Sequence, residues 1–305
     1  MSLPPLSINF SFPEQRVMPV YISLLSAFGV KRMSLDAATL QGAGEKPEVI
    51  EAILKAADQH KITFFDAHAP HGLGDSLGNP LPGGLEHSNE VMLKSLHTAA
   101  DLGIKVLTMH TARTRLVNRF APEAGPIMDI DLPGAVDRTL RQLEVLIPEA
   151  EKLGIIIALE NLFLPSTTAS HLMTIMEKAR HPHLGLCYDA GHALIVEKVP
   201  GKTPEMIADW IAWGWENDTM TFQDDQLDIM LNDVITTHFH DNDGTGDLHR
   251  LPGDGIADWK RIAERMERAP RLLSVQSEVG KAHLTADIKE AFKKFAEAGF
   301  PIEGR

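Results

Sequence analysis

The chain has 305 residues, of which 44% are hydrophobic, so it can bury a large core and is not a disordered protein. Its formal net charge of -13 disfavours nucleic acid as a partner, although bound divalent metals could reverse the sign at the mouth of a site. No apolar run reaches the roughly 20 residues of a membrane span, no secretory leader pattern opens the chain, and the single cysteine cannot form an internal disulfide. We therefore predict a cytoplasmic protein with no membrane partner.

Strand and helix patterns alternate along the chain. Strand-like segments are short and apolar, whereas helix-like segments carry apolar residues three and four positions apart. The patterns predict eight strands, at 7–12, 30–35, 62–68, 105–108, 155–161, 184–189, from 234 onwards and at 272–278. They predict helices at 47–59, 88–102, 134–153, 168–179, 204–215, 259–267 and 286–298. A Gly- and Pro-rich loop is predicted at 69–84, and an acidic segment at 216–228 has no determined structure.

Eight strands that alternate with helices favour a parallel sheet buried on both faces. Eight such units in a chain of this length fit a single (β/α)₈ TIM barrel over residues 1–305, since no composition break marks a linker. A doubly wound sheet is the rival, but no Gly-rich phosphate fingerprint follows the early strands. The loop at 69–84 is too long for a routine connection, and we expect it to cover the substrate.

The stretch 234–259 concentrates histidine and aspartate at the end of a strand. Residues two apart on a strand face the same side, so His238 and His240 point together and Asp241 points away. Glycines break the strand and let the following loop bring Asp247 and His249 back to the same mouth. Imidazoles and carboxylates gathered in this way are typical of metal ligation.

Polar residues close six predicted strands in succession. In a (β/α)₈ barrel these ends surround the one face where active sites occur. A single strand-end carboxylate is more often a helix cap than a ligand, but six in register point to a site. They are His68, His110, Glu160, Asp189, His240 and Glu278.

Four of these side chains can share one divalent ion. Glu160, Asp189, His240 and Glu278 supply three carboxylates and one imidazole, which favours Mn²⁺, Mg²⁺ or Co²⁺, with Zn²⁺ as a further candidate. His192 follows Asp189 at the start of a helix and is placed for substrate or a second metal, while His238 has the alternative of a hydrogen-bonded interior residue.

These motifs resemble the xylose isomerase-like TIM barrel superfamily, which includes sugar phosphate isomerases and epimerases, inosose dehydratases, hydroxypyruvate isomerases and endonuclease IV. The resemblance covers almost the whole chain, and it is specific for the fold and the metal site and loose for the substrate. It rests on Ala158-Leu159-Glu160-Asn161, Tyr188-Asp189-Ala190-Gly191-His192, His238-Phe239-His240-Asp241-Asn242-Asp243-Gly244, Asp247-Leu248-His249, Leu251-Pro252-Gly253-Asp254-Gly255 and Ser277-Glu278.

The epimerase branch of the superfamily implies roles for particular residues. It implies Glu160, Asp189, His240 and Glu278 as metal ligands, the two glutamates also as the acid/base pair, and His192 as a contact to a substrate hydroxyl. Several ketose epimerases carry an arginine six residues after the ligand histidine, where this chain has Gly246. Their substrate contacts therefore do not transfer.

The endonuclease IV branch implies a three-zinc site instead. Its additional ligands match His68, His110, Asp247 and His249, and with His192 all nine positions hold suitable residue types. Three zinc ions would leave excess positive charge suited to a phosphodiester, whereas one ion suits a neutral polyol.

A DNA enzyme also needs a basic and aromatic mouth. This chain offers few cations in mouth loops, and these could hold one sugar phosphate group or be solvated loop charges. They are Arg113, Arg115, Arg119, Arg250 and Lys281.

We therefore expect a metal-dependent isomerase or epimerase that acts on a sugar, sugar phosphate or related polyol by proton transfer through an enediolate. The alternatives are an endonuclease IV-like phosphodiesterase acting on abasic DNA, a keto-polyol dehydratase, and a barrel that binds a metabolite without turnover. The sequence leaves the oligomeric state open, a homo-oligomer included.

Overall fold

The computed structural model describes residues 2–10, 17–72, 74–113, 115–117, 126–129, 132–215, 220–279 and 287–303. Eight parallel strands pair in chain order, and the last pairs with the first through Leu6 opposite Val275, which closes a barrel. The predicted (β/α)₈ fold is confirmed. The barrel strands are β1 Leu6–Phe10, β2 Arg32–Leu35, β3 Thr63–His68, β4 Val106–Met109, β5 Ile156–Glu160, β6 Leu184–Asp189, β7 Val234–Phe239 and β8 Val275–Ser277.

Helices connect the strands around the outside of the barrel. Most follow the predicted positions, but the periodicity did not predict α2, and α4 begins at Gly84, within the segment predicted as a loop. The helices of the described chain are α1 Met18–Ala27, α2 Ala37–Glu45, α3 Pro47–His60, α4 Gly84–Asp101, α5 Leu132–Leu153, α6 Ala169–Lys178, α7 Ala190–Val196, α8 Asp209–Ala212, α9 Gln226–Met230, α10 Trp259–Met266 and α11 Asp287–Glu297.

The predicted helix at 204–215 is wrong for most of its length. The segment holds a 3₁₀ turn at Pro204–Met206 and the four-residue α8. Its polar groups bond to other loops, since the amide of Ala208 donates to the carbonyl of Thr245 at 2.9 Å and the indole of Trp215 donates to that of Phe163 at 3.0 Å. Tertiary contacts have overridden the local helical pattern.

A second departure lies between β4 and α5. A two-stranded antiparallel sheet pairs Arg115–Val117 with Pro126–Asp129 outside the barrel. The sequence pattern did not predict it, because three- and four-residue strands are too short to show a period.

The barrel strands are buried on both faces, as their apolar composition indicates. Every residue of β4, β6, β7 and β8 is buried. Outside the sheet, Phe239 packs against the rings of Trp259 and Phe300 at centroid distances of 5.5 and 4.9 Å. None of the helices that the structure describes combines the length and the apolar character needed to cross a bilayer. The packed core fixes the strand ends, which carry the polar residues.

Candidate active site

The polar strand ends converge on a cavity of about 460 Å³. His68, Glu160 and Asp189 are the last residues of β3, β5 and β6, while His110, His240 and Glu278 directly follow β4, β7 and β8. Asp189 and His240 are fully buried. The other predicted site residues line the cavity itself: His68, His110, Glu160, His192, Asp247, His249 and Glu278.

A cluster of three carboxylates and one imidazole forms the first part of the site. Glu160, Asp189, His238 and Glu278 each offer one ligand atom, and these atoms lie within 4.8 Å of one another. His238 Nδ1 lies 3.0 Å from Glu160 Oε1 and 3.5 Å from Glu278 Oε2. The side chain expected as an interior hydrogen bonder is indeed buried and hydrogen-bonded, and it links the two glutamates.

A second cluster lies beside the first and contains His192, His240, Asp247 and His249, with ligand atoms again within 4.8 Å. The two clusters meet where His240 Nε2 lies 3.2 Å from Asp189 Oδ1. Of the four ligands predicted for one ion, the three carboxylates lie in the first cluster and His240 lies in the second. The imidazole in the first cluster is that of His238. The assignment of His240 as the fourth ligand stays a prediction.

A third cluster shares Glu160 with the first. Glu160 Oε2 lies 3.1 Å from His68 Nε2 and 2.9 Å from His110 Nε2. Together the three clusters bring all nine predicted side chains to one mouth.

The β6–α7 junction explains how one motif presents several of these groups. The Asp189 carboxylate caps α7 by accepting from the amide of His192 at 2.7 Å. Asn161 holds the Asp189 backbone from the side, accepting its amide hydrogen at 2.8 Å and donating to its carbonyl at 3.0 Å. Gly191 is required because a Cβ there would lie 1.9 Å from His240 Cε1. The short motif therefore orients two strand ends and one helix.

The loop after β7 is folded around the carboxylate of Asp241. This buried side chain accepts four hydrogen bonds from nitrogen donors between residues 242 and 259. The backbones of Asp241 and Arg250 also pair, each amide donating to the other carbonyl at 2.8 Å. The loop reverses and carries Asp247 and His249 to the cavity, as predicted, with His249 in the left-handed region at φ 47.

Backbone carbonyls orient three of the imidazoles. Since a carbonyl oxygen only accepts, each Nδ1 must carry the hydrogen, and each Nε2 is left as the atom able to bind a metal. The pairs are His68 with the carbonyl of Ala69 at 2.6 Å, His192 with that of Asn161 at 3.1 Å, and His249 with that of Glu278 at 2.6 Å.

Unpartnered atoms show that the site fits a divalent cation. Asp189 Oδ2, Asp247 Oδ1 and both ring nitrogens of His240 are buried, and none makes a hydrogen bond of acceptable geometry in the described part of the chain, although His240 Nε2 faces Asp189 Oδ1 at 3.2 Å. Such atoms are costly to bury unless something binds them. Carboxylate oxygens and imidazole nitrogens together suit Mn²⁺, Co²⁺ or Zn²⁺, and Mg²⁺ through the carboxylates.

Electrostatics keep two of the carboxylates, those of Glu160 and Asp189, ionised. Burial by itself raises the pKa of Glu160, but the imidazoles of His238 and His110 bring it well below its usual value. The pKa of Asp189 is also below its usual value, because the imidazoles of His192 and His240 lower it by more than burial raises it. Conversely, burial lowers the pKa of His110 more than Glu160 raises it. The site is a concentration of fixed negative charge among imidazoles.

Several residues at the cavity were not predicted as part of the site. Asn9 donates to Glu278 Oε1 at 3.0 Å, but it lies inside β1 and inside the predicted strand at 7–12, so the strand-end rule misses it. Asp36 directly follows β2, and the rule extended to that strand would have found it. His71 packs against His68 and His110, and burial lowers its pKa to about 3. Trp210 reaches the cavity from α8, a placement that no local pattern indicates.

The structure places the predicted cationic side chains differently. Arg113 lines the cavity. Arg250 does not line it, and its guanidinium is paired with Asp243 at 3.0 Å. The side chains of Arg115, Arg119 and Lys281 lie outside the described residues.

Comparison with known proteins gives one family match and many similar structures. The sequence model of the family described as Xylose isomerase-like TIM barrel matches residues 22–298. None of the curated proteins matches the chain significantly.

Three of the similar structures are each 17% identical to this chain. A D-tagatose 3-epimerase-like protein has a TM-score of 0.67 over 96% of this chain and 97% of its own. The 3-keto-D-glucoside 4-epimerase YcjR from E. coli has a TM-score of 0.67 over 97% and 99%. The IOLI protein, crystallised with a bound zinc atom, has a TM-score of 0.64 over 96% and 98%. At this identity, the likeness shows the fold.

Proposed function

Since this chain belongs to the Xylose isomerase-like TIM barrel family, we propose that it is a divalent-metal-dependent isomerase or epimerase of a sugar, sugar phosphate or related polyol. The observation that carries the proposal is the cluster in which Glu160, Asp189 and Glu278 gather from three strand ends around His238. Two fold relatives are an epimerase and an epimerase-like protein, and a third binds zinc, which supports the same proposal.

The proposed metal ligands are Glu160, Asp189, His240 and Glu278. A divalent ion held there would polarise a substrate carbonyl and stabilise negative charge on its oxygen. With one divalent ion bound, three carboxylates and a neutral imidazole give the site a net charge near -1. Such a site is suited to an uncharged polyol segment.

Glu160 and Glu278 are the proposed acid/base pair. They come from β5 and from the end of β8, and His238 Nδ1 lies within 3.5 Å of both carboxylates. His238 therefore restrains the orientation of both groups. Because Glu160 is held ionised, it is suited to remove the proton next to the carbonyl, and Glu278 to return one to the enediolate from the other side. Asn9, which donates to Glu278, orients that second carboxylate.

The test is solvent exchange. Metal-loaded protein is incubated in deuterated water with a panel of ketoses, aldoses, keto-polyols and their phosphates, and substrate and product are analysed by mass spectrometry and NMR. We expect one deuterium to enter at the carbon next to the carbonyl, together with an isomer or epimer. Binding without exchange supports the non-catalytic reading, and loss of one water from the product supports the dehydratase.

Two variants test the acid/base pair. Glu160→Gln and Glu278→Gln keep the size of the side chain but cannot exchange a proton, so each should lower turnover by at least about 10²-fold while largely sparing the fold. Glu264→Gln on the exposed surface of α10 is the matched control and should retain full activity. Wild-type rates in either active-site variant would remove the proposed pair.

A second candidate is phosphodiester cleavage at abasic DNA. The observation in its favour is that His68, His110, His192, Asp247 and His249 reach the same mouth as the proposed ligands. Elemental analysis of the purified protein and a nicking assay on an abasic duplex decide the matter. Three tightly held zinc ions with cleavage would replace the isomerase proposal, whereas one ion without cleavage would support it.

A further inference from the structure

Part of the cavity lining differs in chemistry from the carboxylates and imidazoles of the three clusters. Arg113 lines it, as do Phe163 and Trp210, which pack edge to face at a centroid distance of 5.2 Å. None of these three side chains belongs to the metal clusters or to the acid/base pair. A volume of about 460 Å³ is enough for a small ligand that extends beyond the reacting carbons.

Arg113 is a guanidinium with no carboxylate partner among the residues that the structure describes. It is the single Lys or Arg among the described residues that line the cavity, and no salt bridge or hydrogen bond joins it to any of them. Partial burial lowers its pKa, with no neighbouring carboxylate acting in the opposite direction. Arg250, by contrast, lies on the β7 loop with its guanidinium already bonded to Asp243. An exposed guanidinium that no described carboxylate neutralises is a ready partner for an anion.

The two residues that precede Arg113 are hydrogen-bonded to the segment that follows β5. Thr111 donates to the carbonyl of Ser166 at 2.9 Å, and Ser166 donates back to the carbonyl of Ala112 at 2.8 Å. Arg113 lies close enough to His71 for its charge to act on that imidazole, as does the charge of Glu160. The guanidinium lies at the same mouth as the reacting groups, and no salt bridge or hydrogen bond joins it to the described residues that line the cavity.

Trp210 supplies an apolar wall of the same cavity. The side chain lines the cavity while remaining 44% exposed, so part of its ring is available to a ligand. Its position is set by the contacts of Ala208 with Thr245 and of Trp215 with Phe163 described above. The apolar face of an indole ring packs well against the C–H groups of a carbon chain, whose hydroxyl groups then point away from the ring.

We propose that the substrate is a sugar derivative with an anionic group remote from its reacting carbons, that Arg113 binds this group, and that Trp210 packs against the intervening carbon chain. The anion is a phosphate or a carboxylate, since either matches the planar donor fork of a guanidinium. The identity of the sugar rests on the proposed function, but the anion subsite itself rests on Arg113.

Calorimetric binding to metal-loaded protein tests the subsite. The probes are D-fructose, fructose 6-phosphate and glucuronate, measured with wild type, Arg113→Gln and the control Arg250→Gln, each first checked for folding by circular dichroism. We expect wild type and the control to bind one of the anionic probes at least about tenfold more tightly than fructose. Arg113→Gln should lose that preference while its affinity for fructose is unchanged.

The outcomes separate the two proposals. Preference for fructose 6-phosphate identifies a phosphate, and preference for glucuronate identifies a carboxylate. Equal binding of all probes by wild type, binding of none, or a preference that survives in Arg113→Gln overturns the subsite. An Arg113-dependent preference without deuterium exchange in any sugar would leave the subsite standing and remove the isomerase. Trp210→Ala should weaken neutral and anionic probes alike, and unaltered affinity for both would remove the role of Trp210.

Discussion

Replacing Asp241 by asparagine tests how the β7 loop is built. Oδ1 accepts from the amides of Asn242 at 2.9 Å and Ala257 at 3.1 Å. Oδ2 accepts from the amide of Gly253 at 2.9 Å and the indole of Trp259 at 2.8 Å. An asparagine has one oxygen, so in either orientation two donors lose their acceptor and face an NH₂ group.

The expected cost follows from that count. Hydrogen bonds to a charged group contribute roughly 1.5–3 kcal/mol each, so losing two should lower the free energy of unfolding by roughly 3–6 kcal/mol. Asp241 is fully buried, and water cannot replace the lost acceptor cheaply. Because the same loop carries Asp247 and His249, metal affinity should fall as well.

Urea unfolding followed by circular dichroism measures the first effect, and titration of the metal-free protein with Mn²⁺ measures the second. Asp243→Asn is the matched control, because that side chain is on the same loop but 39% exposed, and its cost should stay within roughly 1 kcal/mol. A loss below about 1 kcal/mol in Asp241→Asn would refute the reasoning.

Three further outcomes are expected. Gly191→Ala should raise the metal dissociation constant about 10–100-fold, because the added Cβ displaces the His240 imidazole. Gly246→Ala is the control, since a Cβ there meets no heavy atom nearer than 3.9 Å, and it should leave the constant unchanged. Equal dissociation constants in metal titrations of both variants would contradict this. Burial raises the pKa of Glu197 from 4.5 to about 7, so the folded protein binds that proton more tightly than the unfolded chain and loses stability as pH rises across this window. In denaturant titrations, the free energy of unfolding of Glu197→Gln should equal that of wild type at pH 4 and exceed it by roughly 3 kcal/mol above pH 7. Identical unfolding curves for the two proteins at both pH values would contradict this prediction. Chelation should abolish turnover and lower the melting temperature, with Mn²⁺ restoring both, and full activity in metal-free protein would disprove metal dependence.

The sequence predicted the barrel because strand and helix periods are local properties that the closed sheet preserves. It also predicted which polar side chains end the strands and meet at one cavity, since those positions follow from strand boundaries alone. His68, Glu160 and Asp189 end their strands as expected. His240 lies one residue beyond β7, and the buried Phe239 between it and His238 packs outward, which confirms the alternation.

What the sequence did not predict depends on contacts between distant segments. Trp210 reaches the cavity because the 204–215 segment bonds to two other loops instead of forming a helix, and no periodicity encodes those bonds. The link from His238 to both glutamates likewise depends on side-chain directions across three strands. Of the predicted cations, Arg113 and Arg250 look alike in sequence, but the structure separates them, since Arg113 lines the cavity whereas Arg250 lies outside its lining and pairs with Asp243.

The most direct test of the metal site is an anomalous difference map from crystals of the protein grown with Mn²⁺. The account predicts a strong peak within about 2.0–2.4 Å of ligand atoms from Glu160, Asp189, His240 and Glu278. Absence of a peak at the strand ends, or a single peak bound by His68 and His110 without Asp189, would contradict it.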